Sequence, residues 1–190
     1  MGKIIKNALF GLLVAAFLVF AGVMMNHSSK LLEHWAYPTD YSETVEEKSG
    51  EYGVPLSVIY AVIRTESGFD PEAESWVGAR GLMQITKDAY EWIDYYRGAT
   101  GASWEDMYVP EINIDYGTWL LSYLYGEFGE WETVYAAYNA GPNAVKKWLE
   151  DKEYSTDGRT LYNIPYEETS NYCKKVIAYR KGYINAYGFD

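Results

Sequence analysis

From Glu111 to Phe128 the apolar residues Ile112, Tyr116, Trp119, Leu120, Tyr123 and Leu124 return at helical spacing. Nowhere do apolar and polar residues alternate long enough to build a half-buried strand. Together these patterns restrict the chain to a nearly all-α fold. A helix is also predicted over Thr86 to about Tyr96, ended by the glycines between Gly98 and Ser103. Others are expected from Trp131 to Tyr138, after Gly141-Pro142, and from about Glu167 to Ala186, with Asp151 to Pro165 irregular. No internal repeat is evident.

At the amino terminus, Lys3 and Lys6 precede an almost uninterrupted apolar run from Ala8 to Met25, long enough to cross a bilayer as a helix. Positive charge before the run places the start inside the cell and the remainder outside. Val19-Phe-Ala21 also suits a signal-peptidase site, so secretion after cleavage is the alternative. The apolar run continues past it, which favours an uncleaved single-pass membrane anchor. From Asn26 to about Val45 the chain lacks periodicity and reads as an extracytoplasmic tether that sets the reach of the attached domain. The expected division is an anchor at 1–27, a tether at 28–48 and a folded domain at 49–190.

Length and composition leave room for one substantial core: 190 residues, of which 48% are hydrophobic and only 6 are proline. The net charge of -11 argues against nucleic acid as a partner, because phosphate binding needs clustered Lys and Arg. The 20 tyrosines and 7 tryptophans suit both helix packing and flat contact with sugar rings. Glu43, Glu46, Glu47 and Glu51 form an acidic run that reads as a solvated face. His27 and His34 have no third histidine or cysteine beside them, so no metal site is expected, and nothing implies a cofactor. The single cysteine, Cys173, shares a helix face with Val176, Ile177 and Ile184 and is expected to be a buried apolar residue.

Chemistry concentrates around Glu66. Val58, Val62 and Glu66 recur every four residues on a helix for which Pro55 suits the first turn. An apolar stripe thus delivers a carboxylate to the helix end, where desolvation and the negative end of the helix dipole both disfavour ionisation. A carboxyl that keeps its proton near neutrality is equipped to be a general acid. A frayed surface turn is the plain alternative for a glutamate so close to Gly68. The stretch Ala73 to Gln84 changes that balance: its small residues let backbone approach a ligand and lead into Leu82-Met-Gln84 at the expected start of another helix.

Four blocks, Glu66-Ser67 with Phe69, Ala73 to Gln84, Ala137-Tyr-Asn-Ala-Gly-Pro142, and Ile164-Pro-Tyr with Glu168-Thr169 and Tyr172, resemble the catalytic domain of the soluble-type lytic transglycosylases. The resemblance covers nearly all the chain from about Ser49 onward. It implies a lysozyme-like helical fold acting on peptidoglycan glycan strands, with Glu66 as the catalytic residue. It places Ser75, Met83, Gln84, Tyr138, Asn139, Glu168 and Tyr172 along the substrate cleft, although Met83 suits a core position equally well. Gln84 and Asn139 each carry a donor and an acceptor fit for N-acetyl sugars. The implied reaction consumes no water: Glu66 protonates the bond oxygen between N-acetylmuramic acid and N-acetylglucosamine, then takes the proton of the muramic 6-hydroxyl, leaving a 1,6-anhydro end. Many relatives carry a methionine where this chain has Thr86, which alters one sugar subsite. Glu167 beside Glu168 offers a second way to assign that carboxylate.

Two other functions fit the residues. A lysozyme-like hydrolase needs a water and a second carboxylate, for which Asp70, Glu72, Glu74 and Asp88 are candidates. A non-catalytic wall-binding protein is the other, and the intact Glu66 counts against it. No protein partner is identifiable from the sequence.

Overall fold

The structure, a computed structural model, describes residues 17–22, 24 and 35–190. The chain divides into two compact units, Met1–Pro38 and Thr39–Asp190. In the first, residues 17–22 are helical and Phe17, Leu18, Val19 and Phe20 are exposed. Among the described residues no helix is long and apolar enough to cross a membrane. Most of the span expected between Ala8 and Met25, and both His27 and His34, lie outside the described residues.

The second unit is mainly helical, with only isolated bridges at Glu74–Arg80 and Arg80–Ile85 in place of strands. In chain order it contains α1 (Ser42–Tyr52), α2 (Leu56–Glu66), α3 (Lys87–Arg97), a 3-10 turn (Trp104–Tyr108), α4 (Pro110–Phe128), α5 (Trp131–Ala140), α6 (Pro142–Glu150) and α7 (Glu167–Tyr187).

Helix α2 is the centre of the fold. Every residue from Ser57 to Ile63 is buried, so the helix is apolar all round rather than amphipathic. Its main neighbour is α7, and α5 packs between α7 and α4. Each fully buried Val or Ile there contributes roughly 1.5–3 kcal/mol of transfer free energy. Pro55 caps the helix rather than occupying its first turn. The far end stops at Glu66, after which Gly68 (φ 63°) and Phe69 (φ 74°) both take the left-handed conformation that turns the chain away. Tyr60 from the middle of α2 stacks on Tyr183 of α7 at 5.3 Å and on Phe189 at 5.6 Å, tying the carboxyl terminus to the core.

Two differences from the sequence reading stand out. The acidic run expected to lie partly in a tether forms α1, whose Val45 is fully buried and which packs on α4. A polar network explains its attachment. Asp115 of α4 accepts from Tyr52 of α1 at 2.6 Å and from Arg97 of α3 at 2.6 Å, and Arg97 also donates to the Tyr52 hydroxyl at 2.9 Å. Glu47 and Glu51 keep their solvated character but pair with Lys48, at 3.0 and 2.7 Å.

The second difference concerns Leu82-Met83-Gln84, which does not begin a helix. Residues 81–84 form a tight turn, closed by reciprocal hydrogen bonds between Arg80 and Ile85, and α3 starts only at Lys87 with Thr86 as its cap. Gln84 itself is left-handed (φ 50°). Cys173 is buried as expected, its thiol pushed up to about 12 by desolvation, and Val176 lies beside it in the core, whereas Ile177 is exposed.

Candidate active site

Three helix ends and one turn converge on Glu66. It is the last residue of α2, while Tyr138 and Asn139 end α5 and Thr169 and Tyr172 lie in the first turns of α7. The turn at residues 81–84 completes the arrangement. The Glu66 carboxyl is pushed up to about 7, first by desolvation against the packed end of α2, partly offset by the polar hydroxyl of Tyr172. That hydroxyl is itself buried, and its contact with Glu66 falls outside ordinary hydrogen-bond geometry. Burial and the nearby Glu66 charge hold the hydroxyls of both Tyr172 and Tyr138 firmly protonated.

The turn is held from three sides. Tyr138 donates to the Met83 carbonyl at 2.8 Å, and Ser67 donates to the Leu82 carbonyl at 2.8 Å. From α4, the fully buried Asn113 accepts from the Met83 N–H at 2.7 Å and donates to the carbonyls of Arg80 at 2.9 Å and Met107 at 2.8 Å. Gly81 adopts φ 74°, and a Cβ there would come within 2.6 Å of Asn113 Nδ2 and closer still to the Met107 carbonyl oxygen. Only glycine satisfies both demands. Arg80 anchors the outer edge, its guanidinium lying 4.4 Å from the Trp104 ring centroid and 4.8 Å from that of Tyr108.

Beside this cluster runs a cleft of about 550 Å³, lined among others by Thr86, Trp92, Leu120, Leu124, Tyr138 and Asn139. Thr169 donates to Asn139 Oδ1 at 2.8 Å, which orients the amide and frees its two N–H donors. A larger hollow of about 660 Å³ lies at the α4–α5 junction against residues 157–160 and includes none of these groups. The smaller cleft is the one that shares Tyr138 and Asn139 with the cluster, although Glu66 itself is not among its lining residues.

The remaining expected site residues differ in what their side chains leave free. Met83 is fully buried, its side chain packed against Gly117, so the core position is the one it occupies and its side chain cannot meet a ligand. Both N–H donors of Gln84 are spent on its own loop, at Ala73 (3.0 Å) and Gly81 (2.9 Å), which leaves only its carbonyl oxygen for a substrate. The Ser75 hydroxyl oxygen accepts from the Ala79 N–H at 3.0 Å and staples the loop. Glu168 is exposed in the first turn of α7. Asn113 was invisible as a site residue. Its only signal is a polar side chain between Ile112 and Ile114 on an apolar helix.

The candidate second carboxylates are all exposed. Glu74 accepts from Tyr108 at 2.8 Å, and Asp70 accepts from the Glu72 N–H at 3.0 Å. Burial and Tyr172 account for the shift at Glu66, and no carboxylate among the described residues contributes to it. The acid stands alone.

Comparison with known proteins identifies the family. The model of the Transglycosylase SLT domain matches residues 43–161. The soluble lytic murein transglycosylase of Escherichia coli strain K12 is 34% identical over 158 residues, covering 80% of this chain and 24% of that protein. The membrane-bound lytic murein transglycosylase C of Glaesserella parasuis is 30% identical over 167 residues, covering 76% of this chain and 46% of that protein. The crystal structure of an inactive Glu-to-Gln mutant of the lytic transglycosylase Slt from Pseudomonas aeruginosa superposes with a TM-score of 0.71 at 33% identity, over 78% of this chain and 24% of that one. The chain therefore spans between about a quarter and a half of the length of these relatives. The family model matches more than half of the chain and relatives above 30% identity agree with it, so the chain belongs to the SLT transglycosylase domain family.

Proposed function

We propose that this protein is a peptidoglycan lytic transglycosylase that cleaves the bond between N-acetylmuramic acid and N-acetylglucosamine without consuming water. The observation that carries the reading is the solitary Glu66, held protonated near neutrality by burial and with no carboxylate neighbour. Protonated Glu66 gives its proton to the bridging oxygen, and N-acetylglucosamine leaves with the electron pair of the broken bond. The muramic 6-hydroxyl then bonds to the exposed sugar carbon and returns its proton to the Glu66 carboxylate. The enzyme ends as it began, and the product carries a 1,6-anhydro ring. One carboxyl serves twice, so no second is needed. Tyr138, Asn139 and the Gln84 carbonyl oxygen line or border the path of the glycan, and Tyr172 tunes the acid.

A hydrolase on the same scaffold would need a carboxylate to activate water opposite Glu66. Asp70, Glu72 and Glu74 are exposed, and Asp88, although it lines the cleft, does not act on the titration of Glu66; the absence of any carboxylate acting on the acid favours the lyase. The apolar run from Ala8 to Met25, together with the membrane-bound name of one relative, supports a single-pass anchor with this unit on the extracytoplasmic side, acting in wall remodelling or local wall opening.

The test is mass spectrometry of the fragments released from purified peptidoglycan by the full chain in mild detergent, beside its Glu66→Gln variant. Soluble fragments one water lighter than hydrolytic products, absent with the variant, are expected. Full-mass reducing ends would establish a hydrolase instead.

A further inference from the structure

Helices α3 and α4 carry five aromatic rings in one continuous cluster. Trp92 lies 4.7 Å from Tyr96 and 4.8 Å from Tyr123, Trp119 stacks on Tyr123 at 5.5 Å, and Tyr95 meets Tyr96 edge-on at 5.4 Å. Packing between the two helices accounts for Trp92 and Trp119, which are half-buried. It does not account for Tyr95 and Tyr96, which are 80% and 56% exposed. Trp92 belongs to both settings, since it also lines the cleft beside Tyr138 and Asn139. The wall of the cleft and the aromatic patch thus meet at Trp92.

We propose that this patch prolongs the cleft as a platform for further sugar units of the glycan strand held there, an inference that rests on the function proposed above. Its chemistry fits a saccharide: flat faces for the C–H side of a pyranose, and Tyr hydroxyls and Trp N–H groups for its rim. It does not suit an anionic lipid surface, which calls for Lys and Arg clusters. Helix α3 carries Asp88, Glu91 and Asp94 against Lys87 and Arg97, in a chain of net charge -11. The platform makes the enzyme favour long strands over short ones, and it acts on binding, not on the proton transfers at Glu66.

The experiment compares the affinities of short and long purified glycan strands for the full chain in mild detergent. A Glu66→Gln background prevents cleavage, and the test variant adds Tyr95→Ala and Tyr96→Ala on the exposed face of α3. Affinity for long strands is expected to fall about tenfold, or ~1.4 kcal/mol, while strands that fill only the cleft bind as before. Tyr95→Phe with Tyr96→Phe should retain most of the long-strand preference. Equal affinity of variant and parent for long strands would overturn the platform. So would an equal loss on both lengths, or a change in self-association without a change in glycan affinity, which would assign the patch to a second copy. If the parent binds neither length, the proposed function fails as well, and that outcome is distinct from loss of length preference alone.

Discussion

The hydroxyl of Tyr138 donates to the main-chain carbonyl of Met83 over 2.8 Å, so the last turn of α5 and the turn below the cleft are fastened at one point beside Glu66. Tyr138→Phe keeps the ring and removes only this bond, leaving the Met83 carbonyl unpaired. We expect a loss of roughly 1–3 kcal/mol of stability, read by urea unfolding. Release of soluble peptidoglycan fragments should fall further than the unfolded fraction accounts for, because the turn beside the acid loosens.

The titration of Glu66 predicts opposite uses of pH. Its folded value near 7 lies above the ordinary 4.5. Between those values the folded chain holds a proton that the unfolded chain has released, so the contribution of Glu66 to stability is greatest below about 4.5 and declines as pH rises toward 7. Activity that requires the protonated acid should fall as pH passes through about 7. Glu66→Gln should flatten the stability slope in that window and lower turnover by roughly 100-fold or more. Parallel unfolding curves for the two proteins from acid to neutral pH would contradict the assignment.

Gly81 and Gly53 are both left-handed, at φ 74° and 67°, but only Gly81 faces crowding; a Cβ on Gly53 would meet nothing within 4 Å. Gly53→Ala should therefore cost only the backbone strain, about 1–2 kcal/mol. Gly81→Ala should cost that and the displacement of Asn113, together more than ~3 kcal/mol. Thermal unfolding of the two variants side by side checks the difference.

Asp115 joins three helices, and its side chain is 17% exposed. Asp115→Ala strands the Arg97 guanidinium and should cost roughly 2–4 kcal/mol, a fall in Tm of about 5–15 °C for a chain of this size. The exposed pair of Lys87 and Glu91, 4.0 Å apart, provides the contrast. Glu91→Ala should change stability by less than ~1 kcal/mol.

The parts of the molecule legible in the sequence are those governed by local pattern. The stripe through Tyr116, Leu120 and Leu124 foretold α4, and Gly98 marked where α3 stops. Glu66 was readable because burial at a helix end follows from its own neighbours, Val58 and Val62. Helix α1 was not, since Val45 is its one buried residue and its hold on the fold comes from Asp115, far along the chain. Gln84 and Ser75 were identified as residue types without any sign that their own loop consumes their hydrogen-bonding groups. Asn113 meets Met83 across thirty positions, a pairing that no local pattern encodes.

The burial of α2 on every side from Ser57 to Ile63 has a consequence for how the acid moves. Backbone amides in the middle of that helix have no route to solvent short of opening the whole unit, so they should exchange hydrogen only at the rate of global unfolding. Glu66, three residues beyond Ile63, is thus carried by the helix in which exchange should be slowest. Its position is therefore as durable as the fold itself, and the substrate must come to a proton donor that does not travel.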